Sequence, residues 1–162
     1  MRTLIAYTTR YGTAEQAAHR LKAELQGEVD VINLNQEQPG SLASYDQVIL
    51  GGSIYFGRIQ KELMTYASTH TEALLNKRLG LFICAGETDP VNREKELREA
   101  FPRALYDHAR CKSILGYQFQ MDKLKWFERW MVRMVKGIRE SCSKISENDV
   151  KDLAGHMRDT WY

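Results

Sequence analysis

The stretch TLIAYTTRYGT at residues 3–13 and the helical pattern after it decide the fold class. Residues 3–7 carry no charge, which is typical of a strand buried on both faces of a sheet. The next six residues are polar and include one glycine, and Thr13 and Gln16 have the spacing of a capping box. Small and apolar residues then recur at helical spacing: Ala14, Ala17, Ala18, Leu21 and Leu25. A buried strand, a polar loop and an amphipathic helix predict the first unit of an α/β sheet.

The rest of the chain repeats this alternation of strands and helices. Further strands are predicted at residues 29–34, 48–52, 79–85 and 113–119. Further helices are predicted at residues 59–74, 90–101, 124–139 and 147–161. Asp89 and Pro90 suit the N-cap and the first helical position of the helix that starts there. Because charge-free strands that alternate with helices are typical of a parallel sheet covered on both faces, residues 1–162 are predicted to form a single α/β domain.

The composition fits one globular domain and excludes several classes of protein. The chain has 162 residues, of which 43% are hydrophobic, and this is enough for one core. The formal net charge of +2 lacks the basic excess of a nucleic-acid-binding domain, so no nucleic acid partner is expected. No apolar run reaches the roughly 18 residues that cross a bilayer, and residues 1–7 do not resemble a signal peptide. The three cysteines are odd in number and suggest no disulfide framework, so a cytoplasmic protein is expected. The cysteines and the four histidines show no metal-ligand spacing, so no metal site is expected.

The loop after the first strand has the donors that a phosphate group requires. Ligands of open parallel sheets bind beyond the carboxyl ends of the strands, so the loops at those ends are the candidate sites. This hydroxyl loop consists of Thr8, Thr9, Arg10, Tyr11, Gly12 and Thr13. It offers hydroxyl groups, a guanidinium and the N–H groups of a helix start to a phosphate monoester. It matches neither GxxxxGK[ST] nor GxGxxG, and a plain polar turn is the alternative interpretation.

Two further loops have the composition of a site for a flat ring. The aromatic loop consists of Ser53, Ile54, Tyr55, Phe56 and Gly57, and its aromatic side chains favour stacking on a heterocycle. The small-residue loop consists of Ala85, Gly86, Glu87 and Thr88, where a ligand can approach the backbone closely. The alternative for the aromatic loop is that it folds back on its own core. Taken together, the three loops predict a mononucleotide site, in which no catalytic acid or base is indicated.

These motifs resemble the flavodoxin superfamily over nearly the whole chain. The hydroxyl loop resembles the loop with which flavodoxins bind the FMN phosphate. More narrowly, Thr-Thr-Arg-x-Gly at residues 8–12 and Gly-x-Ser-Ile-x-x-Gly at residues 51–57 resemble the flavodoxin-like protoporphyrinogen IX dehydrogenases that reduce a quinone. The segment KWFERWMVRM at residues 125–134 is similar to an aromatic and basic stretch that this family carries after its last strand.

The resemblance implies a flavodoxin-like, three-layer α/β/α fold with a five-stranded parallel sheet in the order 2-1-3-4-5. It implies FMN as the cofactor, with its phosphate in the hydroxyl loop and its ring between the aromatic and small-residue loops. The implied function is that of an FMN-dependent oxidoreductase of the protoporphyrinogen dehydrogenase type, with a quinone as redox partner. Two alternatives stay open: an electron carrier without its own substrate, and a scaffold that has lost FMN, which Ala14 permits because flavodoxins usually carry threonine there.

Residues 123–139 are predicted to form an additional basic helix. Six lysines and arginines accompany a single acid, Glu128, and Trp126 and Trp130 lie at the boundary between the basic and apolar faces. One interpretation is a helix packed on the domain with its basic side in water. The other is a lid or a peripheral contact with the inner face of a membrane, since such helices place tryptophan at headgroup depth and basic residues against anionic lipid. The same basic face suits the carboxylates of a porphyrinogen.

Overall fold

A computed structural model describes residues 1–55, 57–86, 89–119 and 142–158. Its strands are β1 (Arg2–Tyr7), β2 (Glu28–Asn33), β3 (Gln47–Ser53), β4 (Arg78–Cys84), β5 (Cys111–Ile114), β6 (Gly116–Phe119) and β7 (Cys142–Ile145). Its α-helices are α1 (Thr13–Glu24), α2 (Lys61–Thr69), α3 (Thr71–Leu75), α4 (Pro90–Glu99), α5 (Arg103–His108) and α6 (Glu147–Arg158). A short 3₁₀ helix covers Leu42–Ser44. None of the helices in these ranges is long and apolar enough to cross a membrane.

The main sheet has five parallel strands in the order β2-β1-β3-β4-β5, which confirms the predicted topology. The strand β1 lies between β2 and β3, and Ile5 pairs with Val31 on one side and Ile49 on the other. Strand β2 therefore lies on one side of β1, and the following strands β3, β4 and β5 are added on its other side. This reversal of strand order creates a crevice at the carboxyl ends of β1 and β3, where open α/β sheets bind ligands.

Alternate residues of the strands pack into two separate cores, one on each face of the sheet. Leu4 and Ala6 of β1 contact the core that α2, α3, α4 and α5 cover. Ile5 and Tyr7 contact the core that α1 and α6 cover. Both cores are fully buried at their centres, which is why the central strands carry no charge after their first residues. The result is the predicted three-layer arrangement of helices, sheet and helices.

Two helix starts were predicted from capping residues, and one prediction was wrong. Asp89 caps α4, because its Oδ1 accepts a hydrogen bond from Val91 N at 3.0 Å and Pro90 occupies the first position of the helix. The predicted capping box at Thr13 does not form. The N-cap of α1 is Gly12, which adopts a left-handed conformation with φ of 92°, and no side chain caps the helix. Glycine tolerates this conformation without strain, so the turn into α1 does not depend on a hydroxyl cap.

Two predicted helices are shorter than expected because the chain turns inside them. The helix predicted at residues 59–74 is divided at His70 into α2 and α3. The helix predicted at residues 90–101 ends at Glu99, since Pro102 disfavours helical geometry at the residue before it. A separate helix, α5, follows Pro102 and was not predicted.

The fifth predicted strand, at residues 113–119, is two strands. Leu115 separates them, and Gly116 begins β6 with φ of 105°. From there β6 leaves the parallel sheet and pairs with β7 in an antiparallel ribbon. The last pair of this ribbon joins Phe119 to Cys142. The ribbon was not predicted. The helix predicted at residues 124–139 and the end of the helix predicted at residues 147–161 lie outside the described residues.

Two tyrosines and two cysteines with raised pKa values make the free energy of unfolding depend on pH in the alkaline range. Burial raises the pKa of Tyr7 and Tyr66 from 10.0 to about 12, and that of Cys84 and Cys111 from 9.0 to about 12, with a hydrogen bond to a carboxylate adding to the effect at Tyr7. The folded chain therefore holds protons that the unfolded chain releases, so the free energy of unfolding should fall as the pH rises from 9 towards 12.

Urea denaturation at a series of pH values measures this dependence. Replacing Tyr66 with phenylalanine removes one of the titrating groups, so the decline above pH 10 should become shallower. A stability that stays constant across this range would contradict the prediction.

Candidate functional site

The three predicted loops lie side by side because the strands they follow are neighbours in the sheet. Thr8 N donates a hydrogen bond to Gly51 O at 3.0 Å, which joins the hydroxyl loop to the end of β3. Ile54 N donates to Cys84 O at 2.8 Å, which joins the aromatic loop to the end of β4. The small-residue loop continues the series, since Ala85 N donates to Gly116 O at 2.9 Å. The carboxyl edge of the sheet thus carries all three loops in one row.

Backbone N–H groups of the hydroxyl loop are held by side chains. Asn35, just after β2, accepts a hydrogen bond from Thr9 N at 3.1 Å. The hydroxyl oxygen of Thr9 accepts one from Gly12 N at 2.9 Å. These bonds shape the loop around the first turn of α1, where the helix dipole favours an anion.

Gln60 ties the hydroxyl loop to the aromatic loop. Its Oε1 accepts a hydrogen bond from Thr8 Oγ1 at 2.8 Å and another from Ser53 N at 3.1 Å. Thr8 is fully buried, and both its hydroxyl and its N–H donate to other parts of the protein. Its visible role is therefore to fix the relative position of two loops, and its contact with a phosphate stays a prediction.

Arg10, Tyr11 and Tyr55 form a cluster at the surface between the same two loops. The guanidinium carbon of Arg10 lies 3.9 Å from the centre of the Tyr55 ring, and Arg10 Nε donates to Tyr11 OH at 3.0 Å. The rings of Tyr11 and Tyr55 meet edge to face with their centres 6.1 Å apart. A cleft of about 500 Å³, the front cleft, is lined by Arg10, Tyr55, Arg58, Ile59 and Gln60. The front cleft thus brings the ring of Tyr55 and the guanidinium groups of Arg10 and Arg58 to one place, where a single ligand could contact them.

A tight turn holds Tyr55 in this cluster. Tyr55 N donates to Arg58 O at 2.9 Å, and Arg58 N donates back to Tyr55 O at 3.2 Å. Gly57 takes the left-handed conformation that this turn requires, with φ of 77°. Tyr55 is therefore held in a closed turn beyond the end of β3, while Ile54 of the same loop packs against the core.

Tyr7 lies below the hydroxyl loop and holds Glu15 of α1. Its hydroxyl donates to Glu15 Oε1 at 3.1 Å. Burial and this hydrogen bond together raise the pKa of Tyr7 to about 12, so the phenol stays protonated and remains a donor. The bond fixes the first turn of α1 against the end of β1, on which the hydroxyl loop rests.

The hydroxyl of Ser53 provides a test of whether a mononucleotide fits this edge. Its Oγ is buried and has no hydrogen-bond partner within the described ranges. A buried hydroxyl without a partner costs free energy unless a ligand supplies one. The carbonyl groups of a flavin ring and the hydroxyls of its side chain are suitable partners, and Arg10 and the start of α1 suit its phosphate. The residues present therefore fit FMN.

The structure brings together most of the predicted site residues, and some lie outside its description. Residues 8–13, Ser53 to Tyr55, Gly57, Ala85 and Gly86 all lie on the one edge of the sheet. Phe56, Glu87 and Thr88 lie outside the described residues. In the described part of the chain, no three His, Cys, Asp or Glu side chains are close enough to hold a metal ion.

Sequence reasoning missed Asn35 and Gln60. Both are polar residues near an element boundary, Asn35 two residues after the end of β2 and Gln60 directly before α2. The sequence could have indicated both residues only through their position, because they lie in loops at the same edge of the sheet as the predicted site. Their partners, Thr9 and Thr8, are 26 and 52 residues away in the chain, so the pairing itself could not be read from local pattern.

Replacing Gln60 with leucine should lower the free energy of unfolding by about 2 kcal/mol, because the hydroxyl of Thr8 and the N–H of Ser53 both lose the acceptor that Gln60 Oε1 provides. Urea denaturation of the protein measures the change. Gln36→Leu is the matched control, since the same change at an exposed side chain should alter stability by less than about 0.5 kcal/mol. Equal effects of the two substitutions would show that Gln60 does not hold the loops together.

The doubly wound sheet, the phosphate-suited loop at its switch point and the aromatic loop beside it define a mononucleotide-binding α/β protein. Residues 4–146 match the model of the flavodoxin domain family. The chain belongs to this family.

Relatives by sequence and structure agree with this assignment. The chain is 23% identical to the protoporphyrinogen IX dehydrogenase [quinone] of Escherichia coli K12, and the match covers 98% of this chain and 94% of that protein. A flavodoxin of Fusobacterium nucleatum bound to flavin mononucleotide is 12% identical, with a TM-score of 0.58 over 97% of this chain and 96% of that one. Oxidised flavodoxin 1 of Bacillus cereus is 15% identical, with a TM-score of 0.55 over 96% of this chain and 93% of that one. Family membership and the fit of the loops support FMN as the cofactor.

Proposed function

We propose that this protein is an FMN-dependent oxidoreductase that takes electrons from a porphyrinogen and passes them to a quinone. The observation that carries the cofactor assignment is the pair of loops joined through Gln60 around the front cleft. The substrate assignment is supported by the similarity, over 98% of this chain, to a protein named protoporphyrinogen IX dehydrogenase [quinone].

The hydroxyl loop would hold the phosphate of FMN. Arg10 supplies a positive charge beside the start of α1, and the N–H groups at that helix end favour an anion. The left-handed Gly12 lets the backbone approach the phosphate without a side chain in between. Glu15 is held against Tyr7 by a hydrogen bond, which fixes its carboxylate relative to the loop.

The aromatic loop and the small-residue loop would flank the flavin ring. Tyr55 supplies an aromatic ring, one face of which carries the Arg10 guanidinium, and Ser53 supplies a buried hydroxyl with no partner among the described residues. Ala85 and Gly86 are small and leave the backbone accessible. The proposal extends to Phe56, Glu87 and Thr88 on sequence grounds alone. Bound FMN supplies the chemistry of accepting and releasing electrons, and the protein supplies its position and its shielding from water.

Reconstitution followed by two half-reactions tests the proposal. The purified chain is mixed with FMN, and flavin absorbance after gel filtration reports binding. Bleaching by protoporphyrinogen IX without oxygen then reports the reductive half, and recovery of the colour on adding 2-methyl-1,4-naphthoquinone reports the oxidative half. We expect all three signals. FMN binding without bleaching would instead favour the electron carrier, and no flavin binding would favour the scaffold.

We further propose that the basic segment at residues 123–139 contacts an anionic partner. The ribbon of β6 and β7 supports this proposal in two ways. The pairing of Phe119 with Cys142 holds together the two ends of the chain that contains the basic segment. The ribbon also starts near the small-residue loop, because β6 follows β5, and β5 pairs with β4. The six basic residues would attract either the carboxylates of a porphyrinogen or anionic lipid headgroups, at about 1 kcal/mol for each one near a lipid surface.

Reversing two of these charges, with Arg129→Glu and Arg133→Glu together, should abolish binding to phosphatidylglycerol vesicles or raise KM for protoporphyrinogen. FMN content should not change, and high salt should mimic the double variant because salt screens charges at the surface. Lys95→Glu with Arg98→Glu, on the exposed face of α4, is the control for charge reversal elsewhere. If neither vesicle binding nor KM responds to charge or salt, the segment has a structural role.

A further inference from the structure

A second cleft lies behind the aromatic loop. It has a volume of about 340 Å³ and opens between that loop, the start of α2 and the end of α4. Ile54, Ile59, Met64 and Ala100 make its surface largely apolar, while Arg58 and Lys61 place two cations on it. This back cleft is distinct from the front cleft, which faces Arg10 and Tyr55.

The composition of the back cleft favours a neutral ring with polar oxygens. Glu96 and Glu99 of α4 face the same space as the two cations, so the formal charges of its walls cancel. A site of this kind disfavours a ligand with two carboxylates, because each would meet a like charge on α4. Arg58 and Lys61 can donate hydrogen bonds to carbonyl oxygens, and the apolar walls suit a flat hydrocarbon ring.

The volume of the back cleft limits the size of the ligand that it can hold. About 340 Å³ is near the lower end of the range for small-molecule sites, and it suits one fused ring system, whereas a tetrapyrrole is several times larger than such a ring. A quinone head group is flat, neutral and apolar, and it carries two carbonyl oxygens. We propose that the back cleft binds the head group of the quinone acceptor, an inference that rests on the proposed function.

The two clefts share a wall. Arg58 and Ile59 line both of them, so an occupant of the back cleft would lie across these two residues from the front cleft. Electrons, unlike a hydride, do not need contact between the reacting atoms. Reduced FMN would give up two electrons and two protons and return to its oxidised form. The quinone would take up two electrons, together with two protons from water at the open mouth of the cleft, and leave as a neutral hydroquinone.

This arrangement separates the electron acceptor from the electron donor. A porphyrinogen too large for the back cleft would react at the other side of the aromatic loop. Both substrates could then be bound at once, and the quinone would not have to wait for the porphyrin to leave. Because the flavin still links two half-reactions, initial rates against both substrates should give parallel lines in a double-reciprocal plot, and the porphyrin product should not compete with the quinone.

Filling the back cleft tests the proposal. Glu99→Trp places a large side chain in the cleft from an exposed position on α4, and Glu72→Trp makes the same change at an exposed position of α3. The probe is 2-methyl-1,4-naphthoquinone, whose binding to the FMN-loaded and the FMN-free protein is measured by equilibrium dialysis. We expect Glu99→Trp to raise its Kd by about tenfold or more, and Glu72→Trp to leave it unchanged.

A rate measurement supplies a second readout. The FMN-loaded protein is reduced by light, without porphyrinogen, and its reoxidation is followed by stopped flow. Glu99→Trp should slow reoxidation by the naphthoquinone about tenfold and leave reoxidation by ferricyanide unchanged. Arg58→Gln, which removes one donor from an exposed side chain, should weaken naphthoquinone binding in the same way if the tryptophan variant does not fold.

The outcomes separate this inference from the proposed function. Unchanged naphthoquinone binding and reoxidation in Glu99→Trp and Arg58→Gln would overturn it, and so would the absence of naphthoquinone binding to the wild type. Failure of protoporphyrinogen to bleach the flavin would overturn the proposed substrate only, because neither test of the cleft uses it. Loss of FMN binding would overturn the proposed cofactor, while dialysis with the FMN-free protein would still decide whether the cleft binds a quinone.

Discussion

Replacing Gly51 with alanine is expected to lower the free energy of unfolding by about 3 kcal/mol or more. Gly51 pairs with Phe82 across β3 and β4, and the Phe82 ring lies directly over it. A Cβ atom at position 51 would come within 2.0 Å of two carbons of that ring. The ring is fully buried in the core beneath α1 and α6, so it has no open space into which it can turn.

Urea denaturation without added FMN measures this effect. Gly40→Ala is the matched control, because nothing lies within 4 Å of a Cβ at that position and the change should stay within about 0.5 kcal/mol. Combining Gly51→Ala with Phe82→Leu should restore part of the loss if the ring is the cause, since residues in contact do not contribute additively. A Gly51→Ala protein as stable as the wild type would show that the sheet shifts to accommodate the methyl group.

Replacing Gly12 with valine is expected to weaken FMN binding by about tenfold. Gly12 has φ of 92°, a conformation that costs an L-residue about 1–2 kcal/mol and a β-branched residue at least as much. In the free variant, residue 12 would relax to a negative φ. To bind the phosphate, the loop would have to return to the positive φ, and the strain of that conformation would reduce the binding free energy. A cost of about 1.4 kcal/mol corresponds to a tenfold rise in Kd.

Quenching of flavin fluorescence on titration gives the Kd. Gly40→Val is the control for adding the same side chain to a glycine without a positive φ, and it should leave the Kd unchanged. Far-ultraviolet circular dichroism confirms that α1 is still formed. A Gly12→Val protein that binds FMN as tightly as the wild type would show that the phosphate does not use this turn.

The main sheet could be predicted from the sequence because burial on both faces leaves a strong local signature. The central strands β1, β3 and β4 are charge-free or nearly so, and each is followed by a helix. The ribbon of β6 and β7 could not be predicted, since it depends on a positive φ at Gly116 and on a partner strand far along the chain. Pairing between distant segments leaves no periodic pattern in either one.

The candidate site shows the same division between local and distant information. The hydroxyl and aromatic loops were recognised because their residue types suit a phosphate and a ring. The direction of the Thr8 side chain could not be predicted, because a threonine hydroxyl can face a ligand or donate a hydrogen bond within the protein. In the structure it donates to Gln60. Asn35 and Gln60 act through contacts that form only when the sheet is assembled.

The bridge formed by Gln60 has a consequence for how this edge of the protein opens. Thr8 and Ser53 share one acceptor oxygen, so a fluctuation that frees one loop also removes a bond from the other. The N–H groups of Thr8 and Ser53 should therefore exchange with deuterium at closely similar rates, as members of one cooperative unit, although they belong to different strands. Such a unit would let the two halves of the proposed cofactor site order together when FMN binds.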